Sequence, residues 1–160
     1  MTTGTIPGEE VGIARRLLLA LAALAMAGTS VELALERHWD DFVKLIPWFA
    51  LGVLAVALAL VAYRPAARRI AIARVLCVLC VLVIAASAIG VYKHIEENHK
   101  AGPLDYRYSE TWESMSSAEQ WWKAATKAVG PAPVLASGVL AQAALGIIAA
   151  TVGHPAVRRR

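Results

Sequence analysis

The chain reads as an all-α membrane protein: a bundle of four transmembrane helices, both termini cytoplasmic, with a short amphipathic helix on the outer face. Three observations predict this. Hydrophobic residues make up 58% of the 160 residues, against roughly 45–50% in soluble domains, and mean hydropathy is +0.55. The apolar residues gather into four long runs. Lysine and arginine gather on one side of those runs. A soluble domain of this size leaves most of its residues touching water and cannot hide so much apolar surface. The same composition excludes disorder, a coiled coil and a disulfide scaffold.

The runs cover about residues 13–35, 42–63, 70–92 and 134–152, each near the roughly 20 residues that cross a 30 Å hydrocarbon core. Every backbone polar group needs an internal partner in lipid, so a span is a helix or a barrel strand. Barrel strands alternate and are about half this length. These runs are continuous, which makes them helices in one membrane domain.

The first run opens with Arg15-Arg16 and passes Ala25-Met26-Ala27, resembling a secretory or twin-arginine signal with a cleavage site. Hydrophobicity resumes as Val31-Glu32-Leu33-Ala34-Leu35, so a retained span is expected. In the second run Pro47 forfeits an N–H, which costs least if the regular helix begins near Ile46 with residues 42–45 as a lead-in. Trp39 and Trp48 lie near the outer ends of the first two spans, where indoles favour the headgroup zone.

Orientation follows from the basic residues. Arg15, Arg16, Arg64, Arg68, Arg69, Arg74, Arg158, Arg159 and Arg160 face only Glu9 and Glu10, a balance of +7 within a total of +4. The other side carries −3. The expected location is the cytoplasmic (inner) membrane, with residues 93–133 outside. The Arg-rich inner loop serves topology and attraction to anionic lipid; nucleic acid is not a partner. The partners expected are the lipid bilayer and either another membrane protein or further copies of this chain.

Within the outer segment, Ser116-Ser117-Ala118-Glu119-Gln120 offers a capping box, and Ala118, Trp122, Ala125 and Val129 recur at helical spacing. This predicts an interfacial helix over about residues 117–129, with Trp121 and Trp122 at the membrane interface. Gly130-Pro131-Ala132-Pro133 then turns the chain into the fourth span. Small pairs spaced by four, Ala55/Ala59, Ala86/Gly90 and Ser137/Ala141, are candidate helix contacts. Gln142, near the middle of the fourth span, is expected to hydrogen-bond across the bundle.

Chemistry-bearing residues concentrate at the outer ends of spans one and three. Glu32, Glu36 and Asp40 lie four apart. Glu32 sits roughly 24 Å from Arg16 at 1.5 Å per residue, a depth where a carboxylate faces protein, water or a cation such as Arg37 or Lys44. His94/Glu97 and Glu96/His99 are i,i+3 neighbours, the second with the Glu-x-x-His spacing of carboxylate-bridged di-metal bundles. With His38 and Asp41 they form a candidate site for a transition metal or haem: His38, Asp41, His94, Glu97 and His99. Only one such motif occurs, and charges past a span end also serve simply to surface the helix. Cys77-Val78-Leu79-Cys80 has the redox C-x-x-C spacing, but it lies near the cytoplasmic surface with no second pair to relay electrons, and cysteine is an ordinary small apolar residue.

The stretch Val31 to Asp41, Leu45-Ile46-Pro47 and Gly90-Val91-Tyr92-Lys93-His94 resemble segments of small, functionally uncharacterised four-span bacterial membrane proteins. The resemblance implies the four-span layout and points to His38, Asp41 and His94, and it carries no activity. Arg37 departs from that pattern.

No complete catalytic constellation, P-loop or dinucleotide fingerprint appears. The leading expectation is therefore a non-catalytic accessory or interaction component of an envelope complex. The alternatives are a metal- or haem-binding redox protein and an ion or small-solute transporter. The last would need polar residues continuing past Gln142 and Ser87.

Overall fold

The computed structural model describes residues 7–63 and 70–152. Among these there are five α-helices and no strand: α1 (Pro7–Leu35), α2 (Phe42–Ala62), α3 (Ile70–Ala101), α4 (Ser117–Ala125) and α5 (Ala136–Val152). Two 3-10 turns, Gly102–Leu104 and Trp112–Ser114, lie between α3 and α4. Three helical stretches are long and apolar enough to cross a membrane: Val11–Leu35, Phe42–Ala62 and Ala71–Leu104. The apolar α5 is shorter, at 17 residues. Arg64, Arg68, Arg69 and the three terminal arginines lie outside the described residues.

The chain divides into two compact units, Met1–Ala85 with Val139–Arg160, and Ala86–Gly138. In the first, Leu54, Ala57 and Val61 of α2 are fully buried, as are Cys80 of α3 and Ala144 and Ile147 of α5. They pack with Ala22, Met26 and Leu33 of α1 in one cluster. The buried face of α2 is thus Ala50, Leu51, Leu54, Ala57 and Val61. Ala55 and Ala59, expected at a contact, are exposed. Small side chains do allow close approach elsewhere: the Cβ that Gly146 lacks would stand 3.5 Å from the carbonyl oxygen of Leu18. Cys80 fills the core and Cys77 is half-buried, both as free thiols.

The helix ends show what sequence periodicity cannot. α1 closes in a Schellman motif: the His38 N–H donates to Leu33 C=O at 2.9 Å and the Arg37 N–H to Ala34 C=O at 3.2 Å. Arg37 takes the left-handed position at φ 51°, where glycine is the usual occupant. α2 begins at Phe42, earlier than the expected Ile46, with Pro47 inside the helix. The loss is one N–H near the helix start, which the rest of the helix tolerates. Asp41 supplies the extended N-cap conformation without a side-chain bond. At the opposite end, the Arg15 guanidinium donates to Val61 C=O and, at 3.3 Å, to Ala150 C=O. These carbonyls belong to the last turns of α2 and α5, where helix dipoles favour a cation.

Candidate functional site

The second unit holds the densest polar and aromatic arrangement. It starts from α3, which continues as helix beyond the expected limit at Tyr92 to Ala101. His94, Ile95, Asn98 and His99 recur at i,i+3 and i,i+4 spacing, so they share one side of the helix. Asn98 is wholly buried. Its Nδ2 donates to Ala132 C=O at 3.0 Å and Ala124 C=O at 3.3 Å, and its Oδ1 accepts the Ala132 N–H at 2.8 Å. One carboxamide therefore pins both the end of α4 and the turn that follows. Gly130, at φ +76°, lies against Asn98 so closely that no side chain fits. Gly102 lies just as closely against the Trp112 ring.

Around this lock, Trp112, Ala124 and Val129 form a buried cluster with Ile95, Tyr108 and Met115 packed on it. The His99 ring stacks on Trp121 at 4.5 Å between centroids and meets Trp112 edge-on at 5.5 Å. Trp121 also stacks on Tyr92 at 6.1 Å. His99 Nε2 is buried among these groups and has no hydrogen-bond partner among the described residues.

α4 is capped as its sequence predicts: Ser116 Oγ accepts the Glu119 N–H at 3.3 Å. Among the described residues the reciprocal bond does not form: the Glu119 carboxylate lies 3.8 Å from Lys123 Nζ, and Gln120 Nε2 donates to Trp112 C=O at 2.7 Å. The helix stops at Ala125, short of the expected residue 129. Lys127 takes a left-handed φ of 59°, and a second Schellman pair forms from Lys127 N–H to Ala124 C=O and Ala128 N–H to Lys123 C=O. The protein-facing side carries Gln120, Trp121 and Ala124, whereas Trp122 points outward at 69% exposure.

A clasp on the surface completes the unit. Arg107 holds both carboxylate oxygens of Asp105, at 3.0 and 2.7 Å, and reaches Ala128 C=O at 2.7 Å. The Arg107 side chain and backbone N–H together hold the Asp105 carboxyl at about 2, below its usual 3.8. Lys123 Nζ and the Arg107 guanidinium lie 4.5 and 5.4 Å from the Tyr108 ring.

The acidic residues of α3 pair with lysines. Glu96 pairs with Lys93 at 2.7 Å and Lys100 at 3.5 Å, and Glu97 pairs with Lys100 at 2.9 Å. The expected Glu96–His99 neighbour pair does not form a bond. His94 is half-buried. In the first unit, His38 is half-buried and its carbonyl accepts the Trp48 indole N–H at 2.8 Å, with Trp39 and Trp48 6.3 Å apart. Asp41 is exposed, and Lys44 pairs with Asp40 at 2.7 Å. Glu32 and Glu36 are exposed and form no ion pair among the described residues. No group of three or more His, Cys, Asp or Glu side chains among the described residues is arranged to hold a metal ion. Gln142 is exposed and lines a groove between α1 and α5. Among the described residues no group hydrogen-bonds its carboxamide, contrary to the bond expected across the bundle.

Asn98 and the αL residues Arg37 and Lys127 were missed by sequence reasoning. For Asn98 the available signal was a lone amide on the apolar side of a charged helical stretch.

Comparison with protein-family models, with curated proteins and with solved structures finds no match for the chain.

Proposed function

We propose that the protein is a four-span inner-membrane protein, both termini cytoplasmic, that works as a non-catalytic interaction component of an envelope complex. In this reading residues 93–133 form an outer-face module. One observation supports the interaction role above others. The module's polar groups hold the module together, through Asn98, Gln120 and the Asp105–Arg107 clasp. Three large apolar side chains nevertheless stay uncovered, with Tyr106 89%, Leu104 85% and Trp122 69% exposed. Large exposed apolar groups on a packed scaffold are what a binding surface offers.

The test is chemical crosslinking in the native membrane with a Leu104→Asp/Tyr106→Asp variant. Wild type gives a discrete crosslinked product and the variant loses it while keeping its helical circular dichroism. A wild-type chain that crosslinks to nothing under these conditions overturns the interaction role. An absorption spectrum with metal analysis of the purified protein separates this reading from a redox protein using His38, Asp41, His94, Glu97 and His99. A featureless spectrum without stoichiometric metal is expected; bound metal lost in His38→Ala and His94→Ala would reverse the conclusion.

A further inference from the structure

The groove between α1 and α5 contains a polar group that lipid cannot satisfy. It has a volume of about 270 Å³, and Leu18, Leu21 and Ala25 of α1 line it together with Gln142, Leu145 and Ala149 of α5. Every lining side chain except Gln142 is apolar. The α1 wall begins about 5 Å and ends about 15 Å along the helix axis from Arg15, at 1.5 Å per residue. Arg15 ties the ends of α2 and α5, so the groove extends to about the middle of a 30 Å hydrocarbon core.

A glutamine carboxamide has two N–H donors and an acceptor oxygen. At that depth no water is available, and leaving such a group unpaired in hydrocarbon is unfavourable. An acyl chain fills the volume but brings no donor or acceptor. A second copy of the chain brings both in the same planar group. Two carboxamides related by a two-fold axis can each donate to the other's oxygen, the self-complementarity that an isologous interface requires. Small residues along the groove, Ala25, Gly146 and Ala149, let a neighbouring helix come close enough for that bond.

We propose that this groove is a self-association surface, in which two copies pack α1 and α5 against each other and pair Gln142 with Gln142 within the membrane. The proposal rests on the reading of α1 and α5 as lipid-embedded helices.

The experiment is energy transfer between donor- and acceptor-tagged full-length chains in phosphatidylcholine/phosphatidylglycerol vesicles, over a series of protein-to-lipid ratios. Wild type shows transfer that rises with protein density and is competed by untagged chain. Gln142→Leu is expected to weaken association about tenfold, the scale of an interhelical hydrogen bond, and Gln142→Asn to retain most of it. Ala149→Trp, which fills the groove from an exposed position, weakens it without touching the carboxamide. Equal transfer in wild type and both disruptive variants overturns the proposal, as does a wild type that stays monomeric with lipid in the groove. Alkaline carbonate extraction of the same vesicles tests the underlying reading separately: release of the chain would mean that the helices are not embedded, whatever the transfer shows.

Discussion

Asn98 and Ala132 are joined by two reciprocal hydrogen bonds across 34 positions of sequence: Nδ2 to the Ala132 carbonyl at 3.0 Å, and the Ala132 N–H to Oδ1 at 2.8 Å. The side chain behaves as a piece of backbone would in a sheet, closing a turn that has no strand beside it. Asn98→Leu is nearly isosteric but leaves the Ala132 N–H and C=O without their partner, while Ala124 C=O keeps the Lys127 N–H. A loss of about 2–4 kcal/mol is expected, since each orphaned buried group costs about 1–3 kcal/mol. Urea unfolding in detergent followed by Trp fluorescence reads it, with faster hydrogen exchange confined to residues 124–132.

The end of α4 places Lys127 in a left-handed conformation at φ 59°. An L-residue there costs roughly 1–2 kcal/mol relative to one that tolerates the conformation, and glycine tolerates it best. Lys127→Gly is expected to raise stability by about 0.5–1 kcal/mol after the extra entropy of unfolded glycine is subtracted. Gly130→Ala should do the reverse, because φ +76° and the contact with Asn98 both oppose a Cβ. Thermal melts of the two variants should move in opposite directions.

Acid should loosen the clasp between Asp105 and Arg107. Asp105 titrates at about 2 when held by Arg107, against 3.8 for an unconstrained carboxyl. A group whose folded value is depressed stabilises the fold fully above its unfolded value. That contribution declines as pH falls below about 3.8 and is gone below about 2. Carboxyl-carbon NMR titration should show the low midpoint in wild type and a return toward 3.8 in Arg107→Gln.

His99 contributes through its ring faces while its Nε2 has no hydrogen-bond partner among the described residues. Phenylalanine keeps a flat aromatic ring and removes the orphaned nitrogen, so His99→Phe should be neutral or stabilising in denaturant. His99→Ala loses the stacking on Trp121, worth about 0.5–1.5 kcal/mol beyond the area buried. It should also shift the Trp121 emission to longer wavelength as water reaches the indole.

Much of the helical layout was legible because its causes are local. Unbroken apolar runs announce lipid-compatible helices wherever they occur, and Ser116 announces the start of α4 because a cap acts within three residues. Boundaries were less legible. α3 continues nine residues past Tyr92 to Ala101, since Lys93, Glu96, Glu97 and Lys100 pair along the helix and satisfy each other. The candidate metal residues illustrate the limit of spacing. Glu96 and His99 stand one helical turn apart, yet the carboxylate turns to lysines and the imidazole to two indoles.

The sequence alone determined the solvent, the helical class and the sites of the main turns, all properties of residues and their near neighbours. Only the tertiary structure decided that Asn98 would lock a turn 34 residues away, that Arg15 would cap two other helices, and that Gln142 would face outward with no hydrogen bond among the described residues. A polar side chain's role depends on which partner reaches it, and partners distant in sequence become neighbours only when the chain packs.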